Sequence, residues 1–259
     1  AVRIFTGAPV PENADRVIIQ EDTTKAGAQI TLRDKLDTNA YIRPSGLDFK
    51  LGDRMTAPRR LSASDVALLA SMNVKTVPVA RRPIIALVAT GNELVMPGET
   101  PGPDQIIASN GFGLAAMLTE HGAVCRMIPI ARDTPQSLQM ALDLCDGADL
   151  IVTIGGASVG DHDIVKDVVS ERGLNMAFHK VAMRPGKPLL AGMLNDVPLI
   201  GLPGNPVSSM VCGHIFIRPA INLMLGLGGQ ALSRELAQLG ENLAANGPRE
   251  HYMRAKIGI

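Results

Sequence analysis

The order of apolar and polar residues divides this chain into two parts that meet near Pro83. After Pro83, short continuous apolar runs alternate with segments in which apolar residues recur every three or four positions. The apolar runs are residues 84–88, 124–130, 150–154, 189–190 and 197–200. Such runs are typical of strands buried on both faces, and their alternation with helices predicts an α/β fold.

The helices between these runs have recognisable ends. Thr134 is followed by a proline and is expected to cap one helix, and Gly173 is expected to end another. Asn205, also followed by a proline, predicts the start of a long helix that runs to about residue 225. Pro219 lies inside that helix and predicts a kink. A further helix is expected over residues 109–121.

Before Pro83 the pattern indicates β structure followed by one helix. Residues 1–6, 17–19 and 29–32 are short β-favouring runs separated by turn-forming residues. Ser62 and Asp65 have the spacing of a capping box, which predicts a helix that runs to about residue 72.

Both ends of the chain have the composition of strand interior. Residues 251–259 read as a strand with nothing after it to pair with. Because an unpaired strand is a poor end for a domain, the chain is expected to be a piece of a longer protein.

Composition narrows the classes of function. Lys plus Arg and Asp plus Glu number 25 each, so the zero net charge predicts neither a nucleic-acid nor a membrane partner. There is no Trp, which argues against a surface that stacks single-stranded bases. Cys125, Cys145 and Cys212 lie in apolar patterns without metal-ligand spacing, which indicates buried thiols. No signal peptide or spanning segment is recognised, so a cytoplasmic location is expected.

Four polar loops each follow a short apolar run. They are residues 90–93, 155–163, 184–188 and 201–206. Open α/β sheets bind ligands at the carboxyl ends of their strands, so these loops are expected to converge on one site. Together they supply glycine amides, hydroxyls, carboxylates and two cationic side chains, a mixture that suits a polyanionic ligand with a divalent metal.

Each loop also has a plain structural interpretation. Asp161 is expected to cap the helix that follows. Asp163 is either a carboxylate stabilised by the helix dipole in the first turn or a metal contact. Glu93 is either a solvated turn residue or a functional carboxylate at a strand end. Arg184 and Lys187 are either exposed charges or two cations held on one side of a turn for an oxyanion.

Other polar residues are less informative on their own. Asp48 and Asp133 fit turn caps as well as metal ligands, and Thr6 is unremarkable alone. Lys180 is a weaker third cation near the 184–188 loop. Three histidines lack the mutual spacing of a metal cluster: His162, His179 and His214.

Taken together, six segments resemble the molybdopterin molybdenumtransferase family, which includes bacterial MoeA and the E domain of gephyrin. They occur in the family order over nearly the whole chain, at residues 5–11, 42–48, 89–94, 155–163, 184–188 and 201–208. The resemblance implies an α/β class with a three-layer, MogA-like molybdopterin-binding domain, preceded by a partial β-rich domain and a helical connector. The implied boundaries are 1–53 for the β-rich part, 54–82 for the connector, 83–228 for the α/β domain and 229–259 for the start of a C-terminal β-barrel domain.

The resemblance also implies an activity, which is the last step of molybdenum cofactor synthesis. Adenylylated molybdopterin would bind with molybdate, the adenylate would be hydrolysed with Mg²⁺, and molybdenum would enter the dithiolene. The implied catalytic residues are Asp48, Glu93, Asp133, Asp163 and Lys180, with Glu93, Asp133 and Asp163 as the metal ligands. The implied substrate-binding residues are Thr6, Thr90, Gly91, Ser109, Asn110, Gly155, Gly156, Ser158, Gly160, Arg184, Lys187, Pro203, Asn205, Pro206 and Ser208. Arg184, Lys187 and Ser208 would hold the molybdate.

The family is expected to act as a homodimer, with other cofactor-synthesis enzymes or molybdoenzymes as further partners. This chain lacks the family's N-terminal Asp-containing segment and most of its C-terminal barrel, and Arg184 stands where the family often has Lys. Two other functions stay open. One is the related molybdopterin adenylyltransferase, against which residues 1–82 argue, and the other is a non-catalytic molybdopterin-binding or scaffolding fragment.

Overall fold

The computed structural model describes residues 1–156, 164–229, 235–256 and 258. The chain forms two compact units. One consists of Ala1–Ala57 with Leu61–Lys75, and the other of Pro58–Arg60 with Thr76–Ile259. The division of the chain into four domains remains a prediction.

The first unit contains one hairpin and one helix. Strands β1 (Thr23–Ala26) and β2 (Gln29–Leu32) pair in antiparallel fashion, as residues 29–32 predicted. The helix α1 (Ala63–Ser71) begins at Ser62, whose Oγ accepts the Asp65 amide at 3.2 Å while the Asp65 carboxylate accepts the Ser62 amide at 2.8 Å. The predicted capping box is therefore confirmed.

The strands predicted at residues 1–6 and 17–19 are wrong. Residues 1–6 are mostly exposed and lead into a turn in which the Ala8 amide donates to the Phe5 carbonyl at 3.0 Å. Val17 makes a single backbone bond, to Ala40, and a 3₁₀ turn follows at Gln20–Asp22. A run of β-favouring residues forms a strand only where a neighbouring strand pairs with it through backbone hydrogen bonds. Neither run has such a neighbouring strand among the described residues.

The second unit is built on a six-stranded mixed sheet. Its strands are β3 (Ile84–Thr90), β6 (Val124–Ala131), β7 (Leu150–Ile154), β8 (Asn175–His179), β10 (Leu190–Leu194) and β11 (Val197–Leu202), and their order is β6-β3-β7-β11-β10-β8. The first four strands in that order are parallel, while β10 runs antiparallel to both neighbours. Asn195 and Asp196 join β10 to β11 with φ values of 48° and 65°, as a two-residue primed turn requires.

Four smaller strands lie outside the large sheet. β4 (Leu94–Val95) pairs with β5 (Ile106–Ile107), and β9 (Met183–Arg184) pairs with β12 (Glu250–His251), both in parallel fashion. The final run was predicted as a strand over residues 251–259, and among its described residues only His251 is in a strand, where it pairs with Arg184 from earlier in the chain.

Helices cover both faces of the large sheet. They are α2 (Asn110–Glu120), α3 (Pro135–Asp143), α4 (Ile164–Glu171), α5 (Pro206–Cys212) and α6 (Arg218–Met224). Alternate residues of each strand enter two separate cores: Ala86 and Val88 pack with α3 and α4, whereas Ile85 and Leu87 pack with α2, α5 and α6. This is the predicted three-layer α/β arrangement.

The predicted long helix is interrupted. A π-helical turn at Gly213–Ile217 joins α5 to α6, just before Pro219. Proline lacks an amide donor, so the irregular turn in front of it agrees with the predicted kink. Pro206–Met224 has the length and apolar composition of a membrane span, yet Cys212, Ile217 and Ile221 are buried in the core.

The prediction of buried thiols is confirmed for two of the three cysteines. All are free; Cys145 and Cys212 are buried and Cys125 is half-buried. Burial raises the pKa of Cys145 and of Cys212 to about 11, so both remain neutral thiols near pH 7.

Candidate functional site

Three of the predicted loops meet at the carboxyl edge of the sheet, where β3, β7 and β11 end. The Gly155 amide donates to the Leu202 carbonyl at 3.0 Å, which ties the loop after β7 to the end of β11. A Cβ added to Gly204 would lie 3.4 Å from the Cα of Gly155. The backbones of these two loops therefore approach within contact distance, as the sheet-edge argument predicts.

Thr90 closes the third side of this junction. A Cβ on Gly155 would lie 2.6 Å from the Thr90 carbonyl oxygen, and one on Gly156 would lie 2.8 Å from Thr90 Oγ1. Both glycines have positive φ, so the turn excludes side chains by conformation and by space. Thr90 is 3% exposed, and its Oγ1 has no hydrogen-bond partner among the described residues. An unpartnered buried hydroxyl indicates a group that a ligand can satisfy.

Two carboxylates lie on the adjacent loops after β3 and β6. The Glu93 carboxylate folds back over Gly91, where an added Cβ would be 2.5 Å from Oε2. Asp133 Oδ2 accepts the Asn92 amide at 3.1 Å, and the Asp133 amide donates to Asn92 Oδ1 at 3.1 Å. Part of the Asp133 carboxylate is thus engaged in joining the loops, and its other oxygen has no bond among the described residues.

Arg132 is a contributor that sequence reasoning missed. Its Nη1 donates to three carbonyl oxygens of the loop after β3, at 3.4 Å from Gly91, 3.1 Å from Asn92 and 2.9 Å from Leu94. In the sequence Arg132 is recognisable only as a cation between an apolar run and Asp133. Its role depends on the parallel pairing of β3 with β6, which brings the loops after these two strands together.

The start of α5 is held by side chains that were predicted to bind substrate. Asn205 Oδ1 accepts the Ser208 amide at 3.1 Å and the Ser208 hydroxyl at 3.3 Å, so Asn205 is the helix cap. Asn110 Nδ2 donates to the Gly204 carbonyl at 2.7 Å and connects α2 to the same loop. Ser109 precedes α2 without a side-chain cap bond. The structure therefore brings Asn110, Gly204 and Asn205 together, next to Gly155.

Lys180 and Lys187 line one cavity of about 620 Å³. Two backbone bonds hold their segment: the Lys180 amide donates to Leu189 at 2.8 Å, and the Val181 amide donates to Lys187 at 3.0 Å. Arg249, from the C-terminal segment, lines the same cavity and was not predicted. Three cationic side chains in one cavity form a site that favours anions.

Arg184 lines a different cavity, of about 430 Å³, together with Asn246 and His251. It lies in the β9–β12 pair, and its carbonyl accepts the Tyr252 amide at 2.8 Å. Its peptide bond to Pro185 is cis. Arg184 and Lys187 therefore line two different cavities, and their joint contact with one oxyanion stays a prediction.

Two predicted site residues come from the first unit of the chain. Thr6 and Asp48 belong to the first unit, where Thr6 is exposed and Asp48 pairs with Arg43. The predictions for Ser158, Gly160, Asp161 and Asp163 fall outside the described residues. Within the described ranges, no group of three or more His, Cys, Asp or Glu side chains is placed to hold a metal ion.

The fold and the junction define an α/β protein whose sheet carries, at its carboxyl edge, glycine turns, a buried hydroxyl without a partner among the described residues, and two carboxylates on adjacent loops. The family model described as "Probable molybdopterin binding domain" matches residues 86–223, and the model of the "MoeA N-terminal region (domain I and II)" matches residues 1–73. The chain belongs to this molybdopterin-binding family, and the two matches together identify the MoeA branch of it.

Individual relatives agree with this assignment. The chain is 33% identical to a molybdopterin molybdenumtransferase of Nostoc over 98% of its own length and 59% of the relative's. It is 34% identical to molybdopterin molybdenumtransferase 2 of Mycobacterium tuberculosis over 98% of its length and 65% of the relative's. The crystal structure of a molybdopterin biosynthesis MoeA protein from Pyrococcus horikoshii has a TM-score of 0.63 and 32% identity, and the match covers 85% of this chain and 56% of that one. The chain thus spans about three-fifths of the length of these relatives.

Proposed function

We propose that this chain is the molybdopterin-binding part of a molybdenumtransferase, which inserts molybdenum from molybdate into adenylylated molybdopterin. The observation that carries the proposal is the junction of Thr90, Gly155 and Gly204, because it makes one ligand edge from three loops. The relatives named above supply the chemistry. The match of residues 1–73 to the MoeA N-terminal region argues against a stand-alone adenylyltransferase.

Substrate binding is assigned to the glycine turns and to the cationic cavity. The glycines admit a ligand close to the backbone, and the buried Thr90 hydroxyl offers it a hydrogen bond. Lys180, Lys187 and Arg249 would hold an oxyanion such as molybdate or a phosphate. Arg184 lines the second cavity, and we propose that it binds substrate there.

Mg²⁺ is proposed as the metal, with Glu93 and Asp133 among its ligands. Oxygen donors suit this ion, and Mg²⁺ is commonly held by one or two carboxylates plus substrate phosphate and water. The two carboxylates on adjacent loops fit that requirement, while a third ligand such as Asp163 lies outside the described residues. When bound, the ion would neutralise phosphate charge as the adenylate leaves.

The remaining assignments follow the family resemblance. We propose a cytoplasmic homodimer, in which Thr6 and Asp48 contribute to the same reaction. Other cofactor-synthesis enzymes or molybdoenzymes are the proposed further partners.

The test is release of adenylate from adenylylated molybdopterin in the presence of molybdate and Mg²⁺. We expect Glu93→Gln to lower the rate by about 10- to 100-fold, since it removes a metal-binding carboxylate. Glu99→Gln is the matched control, because among the described residues the Glu99 carboxylate accepts the Met96 amide, at 2.8 Å, within the turn that follows. If the wild-type chain binds molybdopterin but releases no adenylate, the enzyme proposal is replaced by a binding or scaffolding role. Formation of the adenylate from ATP and molybdopterin would instead support the adenylyltransferase.

A further inference from the structure

The loop between β3 and β4 is held from one side by a single guanidinium group. Three of its carbonyl oxygens, from Gly91, Asn92 and Leu94, lie 2.9–3.4 Å from Arg132 Nη1. Carbonyl groups that point at one position repel each other unless a donor lies there. An Arg side chain is always charged and carries only donors, so it satisfies such a cluster at any ordinary pH.

Arg132 is itself anchored. Its amide donates to Ser137 Oγ at 2.9 Å in the first turn of α3, while the Ser137 amide donates to Thr134 Oγ1 at 3.3 Å. It follows β6 directly, and β6 pairs with β3 along most of its length. The guanidinium therefore connects the loop after β3 to an element that is fixed by both the sheet and a capped helix.

Further bonds join the same two loops. The Gly91 amide donates to the Ala131 carbonyl at 3.0 Å, and Asn92 and Asp133 exchange two bonds of 3.1 Å. Glu93 lies between two residues, Asn92 and Leu94, whose carbonyls are both held by Arg132. Arg132 thus constrains the backbone on each side of Glu93 without a hydrogen bond to the Glu93 carboxylate.

We propose that Arg132 is a positioning residue that sets the relative placement of the Glu93 and Asp133 carboxylates. Among the described residues the hydrogen bonds of its guanidinium go to main-chain carbonyls, so its charge is not used to neutralise either carboxylate directly. This inference rests on the proposed function for its catalytic consequence, whereas the loop constraint stands on the hydrogen bonds alone.

The experiment compares Arg132→Ala and Arg132→Lys with Arg126→Ala. Arg126 is a matched control on β6, because it donates to one carbonyl, that of Asp146, far along the chain from the loop. For Arg132→Ala we expect kcat for adenylate release to fall about tenfold with KM changed less than about threefold, as for other supporting residues of a reactive group. Arg132→Lys should recover most of the lost rate, since an ammonium group also donates to several carbonyls.

Amide hydrogen exchange provides a readout that needs no turnover. Exchange at Gly91 and Asn92 should accelerate in Arg132→Ala and stay at the wild-type rate in Arg126→Ala. A wild-type chain without adenylate release would remove the proposed function and leave this exchange comparison to decide the loop constraint. The inference is overturned if exchange at these amides is unchanged, if the two alanine variants have equal kcat, or if lysine restores nothing.

Discussion

At the scale of single residues, Gly155 has little room for a side chain. Its φ is +92°, and an added Cβ would lie 2.6 Å from the Thr90 carbonyl oxygen. We expect Gly155→Ala to lower the free energy of unfolding by about 2–4 kcal/mol, because left-handed strain and a backbone clash act together. Urea unfolding measures this loss.

The control for Gly155 separates strain from crowding. Gly147 has a φ of +72° with nothing within 4 Å of an added Cβ, so Gly147→Ala should show the strain alone, about 1–2 kcal/mol. Equal losses in the two variants would mean that the clash of the added Cβ with the Thr90 carbonyl does not contribute to the destabilisation.

We expect the Thr90 hydroxyl to contribute to ligand affinity and not to the stability of the fold. This buried hydroxyl has no partner among the described residues, so Thr90→Val keeps the shape and removes an unsatisfied group. We expect the free energy of unfolding to stay equal or rise by about 1 kcal/mol, and molybdopterin affinity to fall. Denaturant titration and ligand titration measure the two effects.

Thr153 is the matched control for Thr90. It is fully buried in β7, and its hydroxyl is likewise without a partner in the described part of the chain. Thr153→Val should resemble Thr90→Val in stability and leave ligand affinity unchanged. Comparable losses of affinity in both variants would exclude a ligand contact specific to Thr90.

The sequence predicted some site residues at this scale and missed others for a physical reason. Thr90, Gly155 and Asn205 lie directly after strand-like runs, so local pattern and the sheet-edge rule are sufficient to select them. Arg132 and Arg249 act through partners distant in sequence. Their roles depend on which strands pair and on where the C-terminal segment runs, and no local spacing encodes either.

At the scale of elements, the start of β3 depends on Asp149. Its carboxylate receives two bonds from the Arg81 guanidinium, at 2.6 and 2.9 Å, and a third from the Ile84 amide at 2.7 Å. These bonds, that of Arg81 foremost, lower the pKa of Asp149 below its ordinary value. We expect Asp149→Asn to cost about 1 kcal/mol of stability near pH 7, since Arg81 is largely exposed and solvent screens the pair.

The sign of the pH dependence follows from that lowered pKa. The unfolded chain protonates Asp149 more readily, so its contribution is fully present above the unfolded pKa of about 4 and is lost as pH falls through the lower folded value. The stability difference between wild type and Asp149→Asn should therefore shrink at acid pH. Asp146→Asn, an exposed change in the same turn, is the control. A difference that grows on acidification would contradict the assignment.

Elements with chemical end signals were predicted well. The helices that begin after Ser62, Thr134 and Asn205 form with the expected caps, because a cap is a local interaction. Strands were easiest to predict where both faces are buried, because the sequence is then apolar throughout, as it is in β3 and β7. β8 was missed because its alternation, with Met176 and Phe178 on one face, extends over only five residues, and it owes its place to pairing with β10.

At the scale of the whole second unit, the cationic cavity is assembled from distant parts of the chain. Lys180 and Lys187 come from the segment between β8 and β10, whereas Arg249 arrives with the C-terminal segment. β12 pairs with β9 and holds that segment in place. Among the described residues the large sheet takes no strand from beyond Leu202, although Tyr252 of the C-terminal segment packs against the core that contains Met183.

A chain that ends after Gly247 tests the contribution of this segment to the cavity. It lacks Arg249, β12 and the core contact of Tyr252 but keeps the six strands of the sheet, so we expect far-UV circular dichroism close to that of the full chain and a lower unfolding temperature. Molybdate affinity, measured by calorimetry, should fall at least about tenfold, because one of three cations and the support for β9 are lost. Arg249→Ala in the full chain separates the two causes, since it removes the charge and keeps the strand pair.

Arg254→Ala is the control. Arg254 lies in the same segment but does not line the cavity, so this variant should bind molybdate as the wild type does. Undiminished binding by the shortened chain would mean that the anion is held elsewhere, with the second cavity around Arg184 as the next candidate.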